Sequence, residues 1–313
     1  MIQFNSNKKI LLKIHAIGMG DALMTTPALK KLSEFYSSKI SVKSRFKKLF
    51  INNPYIKDNL SWDEKFDENG YEIFDCYKTP NRKHHACLCA RSCAYDLGFD
   101  LLNEELSLQY YPDKHCTYDI ESLGNYICLH TTSNWTNRTW KSEYWQDLVN
   151  KLHNLPYNIV VFGKDYEERY FDGSVCYKKC YVPTGEKVID FTNDGSSLND
   201  LWHLINNSKA IVTLDSGPIH IAGTTDTYIF QIGSARHPQF VAPFRHGSQN
   251  YKHEFIGGEC NLFCASNITY SVREWKTINS THFLPACQEN YPEIKCHPNS
   301  NQVFERIKST LIK

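Results

Sequence analysis

Residues 211–223, Ile-Val-Thr-Leu-Asp-Ser-Gly-Pro-Ile-His-Ile-Ala-Gly, change character in the middle, and only a strand running into a helix accounts for both halves. Ile211, Val212, Thr213 and Leu214 form a short run of β-branched and apolar residues, which reads as a strand buried on both faces. Asp215 closes it. Ser216 and Gly217 then offer backbone N–H groups that can stand free, and Pro218 suits the first turn of a helix, where its missing N–H costs nothing. The helix carries His220 and Ala222. A first helical turn has unpaired N–H groups and a partial positive charge, so residues 216–220 read as an anion site at the carboxyl end of a strand, with phosphate as the expected anion. Asp-Ser-Gly-Pro is also an ordinary N-capped helix start, and this stretch alone leaves both readings open.

The same unit opens the chain. Lys8 to Ile14 is an apolar strand, His15-Ala-Ile-Gly-Met-Gly-Asp21 a glycine-bearing turn, and Ala22 to Phe35 a helix, with Pro27 tolerated near its start or at a bend. Two such units, each with an acidic residue at the junction, predict two α/β domains facing each other across a cleft. Gly18-Met-Gly20 lacks the third glycine of the dinucleotide fingerprint, so no nicotinamide site is expected. A length of 313 residues agrees with two domains.

Between them, Ile40 to Val42 and Tyr71 to Asp75 read as strands, residues 78–83 as a loop and His84 to Leu97 as a helix. Cys87, Cys89 and Cys93 with His84 and His85 match no common zinc spacing and read as buried core cysteines. The polar stretch 116–124 reads as the linker, placing a first domain at 1–120 and a second at 121–313. The second domain begins with the strand Tyr126 to His130. A loop bearing Thr131, Thr132 and Arg138 follows, then a helix from Ser142 to Leu152 with Ser142 as its cap and Trp145, Leu148, Val149 and Leu152 on one face. Two hydroxyls and an arginine after a strand suit phosphate oxygens, though a solvated turn has the same composition. Asn158 to Gly163 is a strand, and residues 164–168 (Lys-Asp-Tyr-Glu-Glu) read as the acidic first turn of a helix, with carboxylates for its dipole or for sugar hydroxyls. Val188 to Phe191 and the helix Ser197 to Ser208 complete the alternation, which predicts a parallel sheet.

Net charge is +1, so no electrostatic argument favours nucleic acid or an anionic membrane. No apolar run reaches membrane-spanning length, and no signal peptide is read at the N-terminus. Twelve cysteines in that context point to reduced thiols or a metal site, and to a cytoplasmic protein, with peripheral contact at the inner membrane face left open.

Four motifs in series resemble glycosyltransferase family 9, the bacterial heptosyltransferases with the two-domain GT-B fold. They are Gly18-Met-Gly-Asp-Ala-Leu-Met-Thr-Thr-Pro-Ala-Leu29, His130-Thr-Thr with Arg138-Thr-Trp-Lys-Ser-Glu-Tyr-Trp145, Val160-Val-Phe-Gly163, and Asp215-Ser-Gly-Pro-Ile-His-Ile-Ala222. The resemblance implies an α/β GT-B fold of two Rossmann-like domains, the first on the acceptor side and the second binding the nucleotide sugar, and transfer of a heptose-like sugar, with inversion, from a nucleotide-diphosphate sugar to a glycan or protein hydroxyl. Asp21 carries over as the general base, although it also reads as a helix cap. Gly20, Thr131, Thr132, Arg138, Asp215, Ser216, Gly217 and His220 carry over as donor-binding residues, with His220 either a phosphate donor or a packed core histidine. Arg138 stands where the family often has lysine. With no Asp-x-Asp motif, no catalytic metal or other cofactor is expected.

The tail, about 258–298, departs from the common pattern. Cys260, Cys264, Cys287 and Cys296 in a polar stretch suggest a structural zinc or iron knuckle, and the arrangement is similar to the cysteine finger of autotransporter heptosyltransferases, which modify serines of a protein acceptor. Free or disulfide-linked cysteines are the alternative. A helix from Gln302 to Ile312 ends the chain. The competing functions on this architecture are a nucleotide-sugar epimerase and a non-catalytic sugar- or partner-binding relative. Expected partners are the nucleotide sugar and its acceptor, with self-association into a homo-oligomer open and no nucleic acid.

Overall fold

The computed structural model describes residues 9–16, 18–76, 89–133, 138–169, 175–261, 263 and 295–312. The chain forms two compact units, one of residues 1–115 with 242–251 and the other of residues 116–241 with 252–313.

In the first unit β1 (Lys9–Ile14), β2 (Ile40–Ser44), β3 (Ile56–Ser61) and β4 (Tyr71–Cys76) form an all-parallel sheet in the order β3-β2-β1-β4. β1 is central because Ile10, Leu11, Leu12 and Ile14 tolerate burial on both faces. β3 was not expected. Its sequence, Ile-Lys-Asp-Asn-Leu-Ser, buries only its two apolar residues and sits at a sheet edge, where polar side chains are tolerated.

The helix expected from Ala22 to Phe35 is instead two helices, α1 (Met19–Leu23) and α2 (Thr26–Phe35). The hydroxyls of Thr25 and Thr26 take up the carbonyls of Ala22 and Leu23 at 2.6 and 2.8 Å, closing α1, and Pro27 sits in the first turn of α2, where no N–H is required. Of the helix expected over 84–97, α3 (Cys89–Asp96) is described. Cys93 is buried and its carbonyl accepts from the Cys76 thiol, whereas His84, His85 and Cys87 lie outside the described residues. Residues 242–251 join this unit through the Phe244 carbonyl, which accepts from Leu108 N–H, and through Gly247, whose N–H donates to Ser107 Oγ at 3.4 Å and whose φ of +76° suits a residue without a side chain.

The second unit holds β5 (Tyr126–His130), β6 (Asn158–Gly163), β9 (Val188–Thr192), β10 (Ala210–Thr213), β11 (Tyr228–Ile232) and β12 (His253–Ile256) in one parallel sheet, ordered β12-β11-β10-β5-β6-β9. Its described helices are α4 (Ser142–Leu152), α5 (Leu198–Asn206), α6 (Gly217–Ala222), α7 (Pro238–Val241) and α8 (Ser300–Leu311). The expected face of α4, Trp145, Leu148, Val149 and Leu152, is buried in a core it shares with Val303 and Ile307 of α8. Each such side chain contributes roughly 1.5–3 kcal/mol before entropy is charged against it. The Trp140 indole donates to the Pro298 carbonyl at 2.7 Å, and the Ser300 hydroxyl to Asp147, fixing the C-terminal helix on α4.

Two local expectations fail here. Lys141, not Ser142, is the N-cap of α4, and its side chain makes no capping bond. Residues 164–168 do not begin a helix. They run into β7 (Tyr166–Arg169), which pairs antiparallel with β8 (Val175–Lys178). An acidic first turn favours a helix by only about 0.3–1 kcal/mol, and cross-strand pairing outweighs it. Asp165 instead accepts from Cys180 N–H at 2.7 Å, which holds its carboxyl below the usual range, helped by the Asn193 amide.

Candidate active site

In the second unit the chain leaves β5 toward β6 and β9 on one side, then returns to add β10, β11 and β12 on the other. The direction reverses between β5 and β10, and a crevice at the carboxyl ends of two such strands is where open α/β sheets bind ligands. The predicted donor-binding residues of this unit gather there. His130 ends β5 beside Thr213 of β10 and Phe162 of β6, Thr131 and Thr132 follow β5, and residues 215–217 lead from β10 into α6.

Arg138 reaches the β10 end. Its Nε lies 3.2 Å from Asp215 Oδ2 and its Nη1 donates to the Asp215 carbonyl at 3.2 Å. The ion pair is off the hydrogen-bond axis, so among the described residues the buried Oδ2 accepts no hydrogen bond. His220, one turn into α6, is also buried, and its Nδ1 has no hydrogen-bond partner among the described residues. Burial pushes His220 down to about 4. The Asp215 charge opposes that shift and the Arg138 and Arg236 charges add to it. The imidazole is therefore neutral near pH 7.

Ser216 occupies the N-cap position of α6 but makes no capping bond. Its hydroxyl lies 3.2 Å from both His130 Nδ1 and the Leu214 carbonyl. His130, pushed down to about 3 by burial, is a neutral strut beneath the Ser216 turn. The sequence placed His130 in a motif without giving it a task, because its partners lie more than eighty residues away.

The threonine hydroxyls are engaged: Thr131 Oγ1 donates to the Tyr181 carbonyl at 2.6 Å and Thr132 Oγ1 to Cys180 Sγ at 2.6 Å. A hydroxyl has one proton, so an anion here meets either backbone N–H groups or hydroxyls that have turned away from residues 180–181. Gly163 makes room for this contact. It has φ +151°, and a Cβ there would stand 2.8 Å from Cys180 Sγ and 3.0 Å from Thr132 Oγ1. Neither Gly163 nor Cys180 was singled out as a site residue, since their meeting depends on the β7–β8 hairpin that the sequence concealed.

In the first unit Asp21 lies in α1, three residues after its N-cap Gly18, and is partly exposed. Its carboxylate folds back over Gly18: a Cβ there would stand 2.7 Å from Asp21 Oδ2. Gly20 is buried inside α1, its carbonyl accepting from Met24 N–H at 3.0 Å. A second reversal occurs in this sheet, between β1 and β4. His15 and Asp75 stand there with Nε2 2.7 Å from Oδ1, a pair that the sequence reading did not join across sixty residues.

Of the predicted metal ligands, Cys264 and Cys287 lie outside the described residues. Cys260 and Cys296 come from strands of chain drawn together, with Cys260 N–H donating to the Lys295 carbonyl at 3.1 Å and Gly258 N–H to the Cys296 carbonyl at 2.9 Å. Among the described residues no group of three or more metal-ligating side chains occurs, and no helix is long and apolar enough to cross a membrane.

The model of glycosyltransferase family 9 (heptosyltransferase) matches residues 88–255, more than half of the chain and the span holding His130, Arg138, Gly163, Asp215 and His220. A search of curated proteins gives no match. Among solved structures, the iron-containing dodecameric glycosyltransferase TibC of enterotoxigenic Escherichia coli H10407 aligns with a TM-score of 0.70 at 16% identity, over 97% of this chain and 77% of that one. A family 9 glycosyl transferase of Veillonella parvula DSM 2008 aligns at 0.65 and 14% identity, over 99% of both chains. The E. coli ADP-heptose lipopolysaccharide heptosyltransferase II aligns at 0.50 and 13% identity, over 88% of this chain and 98% of that one. At such identities these likenesses speak to the fold, which is the expected GT-B fold with two Rossmann-like parallel-sheet domains. With its motifs inside the matched span and its two parallel sheets in accord, the chain belongs to glycosyltransferase family 9, a family of nucleotide-sugar glycosyltransferases.

Proposed function

We propose that the protein transfers a heptose-like sugar from a nucleotide-diphosphate sugar to a hydroxyl of a glycan or protein, with inversion at the anomeric carbon. The observation that carries this reading is the pair of buried polar atoms, Asp215 Oδ2 and His220 Nδ1, that make no hydrogen bond among the described residues and lie beside Arg138 at the β5/β10 crevice. Other unsatisfied buried atoms occur in the chain, but these two stand together beside a fixed positive charge at the sheet reversal, where ligand hydroxyls or phosphate oxygens would satisfy them. Asp215 receives ribose or sugar hydroxyls. Arg138, neutral His220, Thr131, Thr132 and the N–H groups of Ser216 and Gly217 receive the diphosphate, whose charge grows as the anomeric C–O bond breaks. Asp21 takes the proton of the attacking hydroxyl, and Gly20 belongs to the turn that presents it. ADP-heptose is the first donor to test, since a solved complex of TibC holds ADP-D-β-D-heptose.

The cysteine tail fits a thiolate-held zinc or iron as far as it is described: Cys260 and Cys296 are neighbours through their backbone bonds, and Cys264 and Cys287 complete the proposed set. The metal would cross-link the tail and supply no step of the transfer. Abundant free thiols favour the cytoplasm, where they stay reduced.

A screen of nucleotide sugars for hydrolysis and transfer, on wild type and Asp21→Asn, tests the reading. Turnover of one donor, lost by at least about a hundredfold in the variant, is expected. If no donor binds or turns over, the transferase reading is wrong. An unimpaired Asp21→Asn enzyme removes Asp21 as the base. Metal analysis by mass spectrometry should find about one zinc or iron per chain, lost on Cys260→Ser, and substoichiometric metal refutes the knuckle.

A further inference from the structure

We propose that His15 and Asp75 form the hydroxyl-recognition point of a saccharide acceptor subsite on the first unit, walled by Trp62. The proposal rests on the transferase reading, in which the first domain is the acceptor side, and adds the residues and the class of acceptor.

The chain runs from β1 to β2 and β3 on one side and returns to β4 on the other, so the strand order reverses between β1 and β4. His15 directly follows β1, and Asp75 lies in the last residues of β4, at the carboxyl ends that flank the reversal. The two do not serve the core: their side chains are 24% and 26% exposed. Asp75 Oδ1 lies 2.7 Å from Nε2, which fixes the orientation of the ring and leaves Nδ1 as the nitrogen turned toward a ligand. Nδ1 makes no hydrogen bond among the described residues. A partly exposed imidazole oriented by a carboxylate, with its second nitrogen open, is built to meet a hydroxyl.

The wall comes from two strands away. Trp62 follows β3, yet its ring centroid is 4.7 Å from that of His15 in an edge-to-face contact. The segment after β3 is drawn across the sheet end by two lysines: Lys43 of β2 donates to the Glu64 carbonyl at 3.0 Å, and Lys13 of β1 pairs with Glu68 at 2.7 Å. Glu64 also receives Ser61 N–H at 3.0 Å, which turns the chain directly under Trp62. The Arg45 guanidinium, exposed at the end of β2, stands 5.9 Å from the indole centroid. Thus residues at or just beyond the carboxyl ends of all four strands converge on one point: an oriented hydrogen-bonding group, a partly exposed indole and a rim cation. A sugar ring has hydroxyls for the first and an apolar C–H face for the second. A serine peptide offers one hydroxyl on a short side chain and has less use for the indole.

Saturation-transfer NMR on the full chain decides the matter, with methyl aldohexosides and a serine-containing hexapeptide as probes. At least one glycoside should bind, and His15→Ala and Trp62→Ala should each weaken it about tenfold, the worth of one lost contact. Two further variants separate ligand contact from ring support. In His15→Asn the amide oxygen stands near the Nδ1 position, while His15→Gln reaches toward Asp75 and leaves Nδ1 unreplaced. Binding kept by Asn and lost by Gln supports the proposal. Binding kept by Gln and lost by Asn overturns it, as does binding by the peptide alone or by no glycoside. Calorimetry with ADP on the same samples reports the donor site: failure of wild type to bind ADP counts against the transferase reading, and the glycoside result still decides this one.

Discussion

Arg138 holds Asp215 at two points, Nε against the carboxylate and Nη1 against the backbone carbonyl, each at 3.2 Å. The second contact ties the guanidinium to the turn between β10 and α6, so the fixed charge is anchored to the backbone it serves. Both side chains are largely withdrawn from water, at 13% and 4% exposure. Removing one partner of such a pair leaves a buried charge uncompensated. Arg138→Ala should lower the unfolding free energy by about 3 kcal/mol and abolish donor binding. Arg138→Lys keeps the charge but not the fork, and should cost about 1 kcal/mol with weakened binding. Urea titration and calorimetry with a nucleotide diphosphate check both, and an alanine variant as stable as wild type would refute the buried pair.

The two buried histidines predict how stability depends on pH. An imidazole in the unfolded chain takes up its proton near pH 6.5, whereas burial holds His220 off to about 4 and His130 to about 3. Between those values the unfolded chain binds more protons than the folded one, so stability is complete above the unfolded value and declines as pH falls from about 6.5 toward 4. The slope approaches about 2.7 kcal/mol per pH unit when both groups contribute. Asp200, held down to about 2 by the Ser197 hydroxyl and the N–H groups of Thr117 and Ser197 against the opposing pull of burial, loses its contribution only at still lower pH. Urea midpoints from pH 7.5 to 5 should therefore be flatter in His130→Gln and in His220→Asn. Wild-type slopes in both would show that neither ring is neutral and buried.

Gly163 and Cys180 predict a measurable coupling. A methyl group at 163 meets Cys180 Sγ and Thr132 Oγ1 inside contact distance, on a backbone whose φ of +151° disfavours any side chain. Gly163→Ala should cost about 2 kcal/mol or more. Adding Cys180→Ala removes the sulfur but leaves the backbone strain, so it should restore part of the loss, with a coupling of about 0.5–1 kcal/mol in a double-mutant cycle. Strict additivity would mean that the thiol is not where it is described.

Where the residues announce themselves locally, the sequence was enough. The buried run of β5 and the apolar face of α4 emerged with the expected residues, and the junction after β10 gave the turn at Asp215 because each of its residues has one natural place at a strand end or helix start. What stayed hidden depends on distant partners. The hairpin of β7 and β8 overrode a helix-like acidic run, β3 is a strand because β2 lies beside it, and His15 meets Asp75 only after the chain has made and left two other strands. The division at residues 115 and 116, with 242–251 joined to the first unit, likewise reflects long-range contacts that composition does not report.

Gly18 offers a test of Asp21 that leaves the carboxylate chemically intact. Gly18 has an ordinary extended backbone, φ −110° and ψ 146°, so alanine is not strained there. Among the described residues the close neighbour of an added Cβ is Asp21 Oδ2 at 2.7 Å, with Asp21 Cγ behind it at 3.6 Å. A side-chain terminus can swing aside cheaply, so Gly18→Ala should change the unfolding free energy by less than about 1 kcal/mol. The carboxylate, however, must leave its place over the turn. If Asp21 is the base, a displacement of about 1 Å should lower the transfer rate by about a hundredfold, while the affinity for a nucleotide diphosphate is unaltered. Gly18→Ala therefore separates position from presence: normal stability, normal donor affinity and a collapsed rate are expected together. A fully active Gly18→Ala enzyme would mean that the orientation of Asp21 in this turn is immaterial to proton removal.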